Sequence, residues 1–151
     1  MGLAVANYRE HYGSYPPAFV AGPDGRPWHS WRVLLLPFME YRELHAEYDF
    51  KEPWDGPNNS KLLQKAPRHY AFDGAPIGDG VANYLAVVGS ETIWPGAAAR
   101  KPEEIADSPD ETILVVENRG ADVKWTEPRD LALSAFNHRI FGPDAIDSAY
   151  D

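Results

Sequence analysis

Residues 7–17 read NYREHYGSYPP, and this stretch marks the point where a helix gives way to extended chain. Apolar and aromatic side chains in and just before it recur at spacings of three to four residues in two sets, Leu3 with Ala6 and Val5 with Tyr8 and Tyr12. The spacing predicts a helix over residues 1–12, and Gly13 stands where a helix C-cap belongs. Pro16 and Pro17 then favour extended backbone, because proline fixes φ and keeps the preceding residue out of the α region. Since the apolar stripe starts without an N-cap residue, we interpret residues 1–12 as the last turns of a longer helix.

The apolar run that follows a predicted turn at residues 21–27 is compatible with two structures. Ser30 is a suitable N-cap, and Val33 lies on the apolar face of a possible helix. Pro37 removes a helical hydrogen bond, so we expect a helix that is interrupted or restarted there. A buried strand over residues 31–36 is the alternative, because periodicity does not separate the two in so short a run.

The second half of the chain is typical of a small sheet with long loops. Three runs rich in β-branched and aromatic residues predict strands: 83–89, 112–117 and 123–126. Residues 118–122 are compatible with a hairpin turn between the second and third of them. A short helix is predicted over residues 131–136, and residues 137–151 are predicted to be a tail. Together these elements predict one α+β domain over residues 1–151, because helices come first and a sheet follows.

The charge and cysteine content exclude several classes of function. The chain has 14 basic and 23 acidic residues, a net charge of −9, and no cluster of Lys or Arg. This balance argues against binding to nucleic acid or to anionic lipid, both of which need a basic surface. The absence of cysteine excludes disulfides, thiolate catalysis and cysteine-ligated metals. No apolar run of these residues reaches the ~20 needed to span a bilayer, so we expect no membrane contact by this segment itself.

Metal sites have little support in the sequence. The five histidines form no pair at metal-binding spacing, so we expect no zinc centre. Calcium is the better candidate, because loop carboxylates are abundant and calcium prefers oxygen ligands. Asp107 and Asp110 are the candidate calcium ligands, although their spacing does not match the calcium-loop pattern. We therefore expect no obligatory cofactor.

Tryptophans beside prolines or charged residues are the candidate ligand-binding groups. Trp28, Trp54 and Trp94 all have this setting, which suits contacts to a carbohydrate or a peptide but also suits loop packing. Of the three, Trp94 is predicted to be the most exposed. The alternative chemistry is hydrolysis by a pair of carboxylates, for which Glu117 and Glu127 are the candidates. No nucleophile elbow or phosphate-binding loop is present in the sequence.

The stretch at residues 7–17 resembles the end of the long N-terminal helix of type IV pilins and type II secretion pseudopilins, where the chain enters the globular head. Further blocks follow in an order that is similar to a large bacterial family of prepilin-like proteins with a main domain of unknown function. These blocks are residues 29–38, 48–55, 83–89, 111–117 and 125–131. The similarity covers roughly residues 3 to 133.

This resemblance implies a pilin-like fold, in which an N-terminal helix packs on a small antiparallel sheet. It also implies a cell-envelope or periplasmic location and a hydrophobic half-helix upstream of the helix at residues 1–12. The expected partners are other envelope or pilin-like subunits, with a glycan as a further possibility. The resemblance brings no catalytic residues. We therefore expect a non-enzymatic protein of assembly or partner binding, with a carbohydrate- or peptide-binding module and a carboxylate-dependent hydrolase as the alternatives.

Overall fold

A computed structural model describes residues 1–74, 78–106 and 112–134 of the chain. Helix α1 spans Gly2–Tyr12, which confirms the predicted first helix. It ends at Gly13, whose φ of 73° lies in the left-handed region, and the amide of Gly13 donates to the carbonyl of Arg9 at 2.8 Å. A glycine suits this position because it carries no Cβ to oppose a positive φ.

The apolar run after the predicted turn is helical, so the strand alternative for residues 31–36 is wrong. Helix α2 spans Trp31–Leu35 and begins at Ser30, whose hydroxyl accepts a hydrogen bond from the amide of Arg32. A 3-10 helix, Leu36–Met39, continues directly from it and carries Pro37 in its first turn. Proline is tolerated there because a first-turn N–H has no helical partner to lose. Helix α3 then spans Arg42–Glu47.

The predicted turn at residues 21–27 is confirmed, and it joins two short strands that the pattern does not predict. Strand β1, Phe19–Ala21, pairs antiparallel with strand β2, Pro27–Ser30. The amide of Gly22 donates to the carbonyl of Arg26 at 2.9 Å and closes the turn. Strands of three or four residues are too short to show an alternating pattern.

The remaining strands form two small sheets. Their bounds are Val81–Ala82 for β3, Tyr84–Val88 for β4, Val115–Glu117 for β5, Val123–Lys124 for β6 and Leu131–Ala132 for β7. Strand β3 pairs antiparallel with β6, while β4 lies between an antiparallel β5 and a parallel β7. Among the described residues, further 3-10 helices span Asn59–Lys65, Arg68–Tyr70 and Pro102–Glu104. The α+β class is therefore confirmed.

Two local predictions in this half need correction, one in full and one at its start. Strands β5 and β6 do not pair as a hairpin, because β6 pairs with β3 instead. Trp125, which follows β6, fixes this position. Its amide donates to the carbonyl of Gly80, and its indole N–H donates to the carbonyls of Leu62 and Leu63. The helix predicted over residues 131–136 is wrong at its start, where Leu131–Ala132 form strand β7 and pair with the end of β4, while Leu133 and Ser134 are helical. Residues 135–151, including the predicted tail, lie outside the described residues.

The hydrophobic core joins the N-terminal helices to the sheets. Its largest fully buried side chains are Trp31, Tyr70, Trp94, Trp125, Leu35 and Leu36. Helix α1 packs chiefly against α2 and the adjoining 3-10 helix, to which it contributes Ala4 and Val5. Leu3 is 76% exposed on the same helix. The stripe predicted from the sequence is therefore divided, with Val5 facing the core and Leu3 facing solvent.

A buried ion pair ties the two halves of the chain together. The guanidinium of Arg32 and the carboxylate of Asp130 are 2.6 Å apart, and their side chains are 0% and 4% exposed. Arg32 also donates to the carbonyls of Tyr84 and Glu127. Asp130 accepts further hydrogen bonds from the indole of Trp31 and the amide of Ala86. Burial raises the pKa of Asp130, and the charge of Arg32 together with these donors opposes the shift.

Candidate functional site: a groove between two tryptophans

Three short segments from distant parts of the chain enclose an open groove of about 550 Å³. They are residues 26–28 at the start of β2, residues 53–55 in the loop after α3, and residues 127–129 before β7. We call this the Trp28–Trp54 groove. It brings together two of the three tryptophans that the sequence predicts as ligand contacts. Its volume lies in the range of about 300–1,000 Å³ that is usual for small-molecule sites.

Trp28 is positioned by the turn between β1 and β2. Its indole lies against Gly22, where an added Cβ would come within 2.2 Å of the ring carbons. Only a glycine allows this close approach of ring and backbone. The carbonyl of Trp28 accepts a hydrogen bond from the amide of Trp54 at 3.0 Å, so the first two segments are joined directly.

The loop that carries Trp54 is fixed by the buried side chain of Asn59. Its amide nitrogen donates to the carbonyls of Asp49 and Pro53 at 2.8 and 3.0 Å, and its oxygen accepts from the amide of Asp49 at 2.9 Å. The carboxylate of Glu52 completes the frame by accepting from the amides of Asn58 and Asn59, both at 2.7 Å. Trp54 is therefore held on a rigid loop.

Replacing Asn59 with alanine is expected to lower the free energy of unfolding by about 2–3 kcal/mol, because three partly buried backbone groups lose their partner. Urea denaturation followed by circular dichroism measures the change. The neighbouring Asn58→Ala is the control, since the Asn58 side chain is exposed and, within the described parts of the chain, bonds only to Glu52 and Lys61. Its effect is expected to stay within about 0.5 kcal/mol. Equal losses in the two variants would contradict this role of Asn59.

The third segment contributes a paired charge to the groove. Glu127 and Arg129 form an ion pair at 2.6 Å, and the amide of Lys124 donates to the same carboxylate at 3.0 Å. Arg129 also donates to the carbonyls of Ala121 and Asp122. Since Arg32 donates to the carbonyl of Glu127, this wall is anchored to the buried ion pair beneath it.

The prediction that Trp94 is exposed is wrong. Trp94 is 0% exposed, packs against Trp31 with ring centroids 5.1 Å apart, and donates its indole N–H to the carbonyl of Leu114 at 2.7 Å. Trp28 and Trp54 are only half-buried. Trp94 therefore belongs to the core, while the other two candidates line the groove.

The two carboxylates considered for hydrolysis have different settings. Glu127 lines the groove, whereas Glu117 lies on β5, pairs with Arg119 at 2.6 Å and does not line the groove. Of the candidate calcium ligands, Asp107 and Asp110 both lie outside the described residues. Within residues 1–74, 78–106 and 112–134, no group of three or more acidic or histidine side chains is close enough to hold a metal ion.

A buried histidine lies next to Trp28. The Nδ1 atom of His29 is 3.0 Å from the hydroxyl of Tyr48, and the ring of Phe50 lies at a centroid distance of 5.1 Å from the imidazole. Burial lowers the pKa of His29 and raises that of Tyr48. Burial therefore favours the neutral form of both groups.

Sequence reasoning identifies Trp28 and Trp54 but not the charged wall that faces them. From the sequence, Glu127 is a candidate only as a catalytic carboxylate, and no motif or spacing marks Asp55 or Arg129 as ligand-binding residues. Three segments separated by 24 or more residues meet here, and no periodicity encodes that meeting. Prolines beside each tryptophan and beside Glu127 are the one shared feature in the sequence.

Comparison with known proteins identifies the family but no individual relative. Residues 1–88, more than half of the chain and two of the three groove segments, match the family described as protein of unknown function (DUF1559). No curated protein and no solved structure matches the chain. In the part of the chain that the structure describes, no helix is both long and apolar enough to cross a membrane. By the match over residues 1–88, the chain belongs to the DUF1559 family of proteins of unknown function.

Proposed function

We propose that this chain is a non-enzymatic, pilin-like protein of the cell envelope that acts in assembly or partner binding through helix α1. The observation that carries this proposal is the exposed side of α1. Leu3 is 76% exposed there, while Ala4 and Val5 on the opposite side are buried in the core. A large apolar side chain that is exposed on the outer side of a helix suits contact with another subunit.

The other end of α1 supports the same proposal. The helix ends in a left-handed Gly13, and Tyr15, Pro16 and Pro17 carry the chain away from it. The amide of Tyr15 donates to the carbonyl of Arg100 at 2.8 Å, so the exit from the helix is fixed to the body of the molecule. An N-terminal helix fixed to an α+β head is the arrangement that the resemblance to pilins and pseudopilins implies.

Neither carboxylate considered for hydrolysis favours an enzyme. Glu117 and Glu127 are each engaged by the arginine two residues further along the chain, and Glu127 also accepts from a backbone amide. Ligand binding is the second candidate function, and it rests on a different surface, the Trp28–Trp54 groove.

Single-cysteine cross-linking in the native cell tests the proposed role of α1. Because the chain contains no cysteine, Leu3→Cys introduces one thiol on the outer side of the helix. We expect the protein in the envelope fraction and a cross-link from this thiol to a pilin-like subunit or to a second copy of the chain.

Ser60→Cys is the matched control, since Ser60 is exposed like Leu3 but belongs to the 3-10 helix Asn59–Lys65 and not to α1. It is expected to give no such cross-link. A protein found only in the cytoplasmic fraction, with Leu3→Cys remaining monomeric under cross-linking, would overturn the proposal.

A further inference from the structure

We propose that the Trp28–Trp54 groove is a binding site for an uncharged carbohydrate. This site is separate from the outer side of α1, so the inference goes beyond the assembly role and does not depend on it. Three observations carry it: the state of the two indoles, the balance of charge in the groove, and the rigidity of its walls.

The indole N–H groups divide the five tryptophans into two sets. Those of Trp31, Trp94 and Trp125 each donate to an acceptor inside the protein. Those of Trp28 and Trp54 have no acceptor among the residues that the structure describes. A half-buried tryptophan that keeps its donor free offers both an apolar ring and a hydrogen bond to a ligand, and the C–H faces of sugars pack well against such rings.

The charges of the groove cancel. Arg26 and Arg129 contribute two positive charges and Asp55 and Glu127 two negative charges, on a chain whose net charge is −9. A site without net charge does not select a charged ligand by electrostatic attraction. The groove therefore suits a neutral molecule better than a nucleotide, an acidic peptide or a basic peptide.

Asp55 shows which kind of neutral molecule fits. Its carboxylate is exposed and has no hydrogen-bond or ion-pair partner in the described parts of the chain. Together with the free indoles of Trp28 and Trp54, it leaves both an acceptor and donors open in one groove. Hydroxyl groups satisfy both, because each one donates and accepts.

A proline-rich peptide is the strongest rival ligand, since such peptides bind aromatic grooves. Its carbonyls would accept from the indoles of Trp28 and Trp54. Its prolines, however, have no N–H to give to the carboxylate of Asp55. The pairing of free donors with a free acceptor therefore favours a polyhydroxylated ligand over polyproline.

The groove is formed before any ligand arrives. Gly22 supports the ring of Trp28, Asn59 and Glu52 fix the loop of Trp54, and the pair of Glu127 with Arg129 fixes the third wall. Little side-chain and loop entropy remains to be lost on binding, which favours a measurable affinity even for a weakly interacting sugar.

An array of neutral oligosaccharides, followed by isothermal titration calorimetry with the strongest binder, tests the proposal on the whole chain. We expect the wild type to bind, and we expect the dissociation constant to rise at least tenfold in Trp54→Ala and in Asp55→Ala. Asp55→Ala is the cleaner variant, because the Asp55 carboxylate is exposed and has no hydrogen-bond or ion-pair partner in the described parts of the chain. Asp73→Ala is its matched control, an exposed aspartate that does not line the groove, and it is expected to bind as the wild type does.

Two further measurements separate sugar binding from the assembly role of α1 and from the binding of proline-rich peptides. Leu3→Ala on α1 is expected to leave sugar binding unchanged, so that loss of assembly and loss of sugar binding are independent results. Decaproline is expected to bind more weakly than the best sugar. No binding on the array, equal affinities for Asp55→Ala and wild type, or tighter binding of decaproline would each overturn the proposal.

Discussion

Replacing Asp130 with alanine is expected to lower the free energy of unfolding by about 3–5 kcal/mol, the usual cost of leaving a buried charge without its partner. Asp130 is 2.6 Å from the guanidinium of Arg32, which is fully buried. The same substitution removes the acceptor of the Trp31 indole and of the Ala86 amide. Urea denaturation followed by tryptophan fluorescence measures the loss.

The surface pair of Asp24 and Arg26 provides the control for this prediction. Its two charges are also 2.6 Å apart, but the arginine side chain is 82% exposed. Solvent screens such a pair, so Asp24→Ala is expected to leave the unfolding midpoint unchanged within error. If the two variants lost the same stability, burial would not be what makes the Arg32–Asp130 pair important.

Trp94→Ala is expected to lower the free energy of unfolding by a similar amount, about 3–5 kcal/mol, because the substitution opens a large cavity in the core. The Trp94 ring is fully buried against Trp31, and the loss of its indole also leaves the carbonyl of Leu114 without its donor. Urea denaturation followed by circular dichroism measures the effect without relying on the signal of the deleted tryptophan.

Trp54→Ala is the matched comparison, since it makes the same change at a half-buried ring. Trp54→Ala is expected to lower the free energy of unfolding by less than half as much as Trp94→Ala, because the space it leaves is open to water and no closed cavity forms. A larger loss for Trp54→Ala than for Trp94→Ala would mean that the assignment of the two rings to groove and core is reversed.

The parts of the fold that were predictable have local causes. Gly13 ends α1, Ser30 begins α2, and Pro37 lies in the first turn of the 3-10 helix that follows α2, so each of these residues acts within a few positions of itself. The strands β4, β5 and β6 are also predictable, because β-branched residues cluster in them. Such signals depend only on neighbours in the sequence.

The errors arise where distant contacts decide the structure. Trp125, directly after β6, donates its amide to Gly80 beside β3 and its indole N–H to Leu62 and Leu63, more than 60 positions away. Trp94 looks like a loop residue because proline and glycine follow it, but the core encloses its ring. Asp130 pairs with a side chain 98 positions away. Nothing in the residues near these positions encodes such partners.

The Trp28–Trp54 groove has features of both kinds, some with local causes in the sequence and some decided by distant contacts. Trp28 and Trp54 are predictable as candidates because tryptophan beside proline is a common setting for ligand contacts. Their meeting is not predictable, since it depends on Gly22 at one tryptophan and on Asn59 at the other. The wall formed by residues 127–129 is held by Arg32, which donates to the carbonyl of Glu127. In the sequence, nothing distinguishes Arg32 from the other residues of the predicted helix.

Exchange of the five indole N–H protons with D₂O, followed by nuclear magnetic resonance on ¹⁵N-labelled protein, tests whether two tryptophans line an open groove with free donors while three are bonded in the core. We expect slow exchange at Trp31, Trp94 and Trp125, and fast exchange at Trp28 and Trp54. Protection of Trp28 or Trp54 equal to that of the buried three, or exchange at Trp94 as fast as at Trp54, would contradict this expectation.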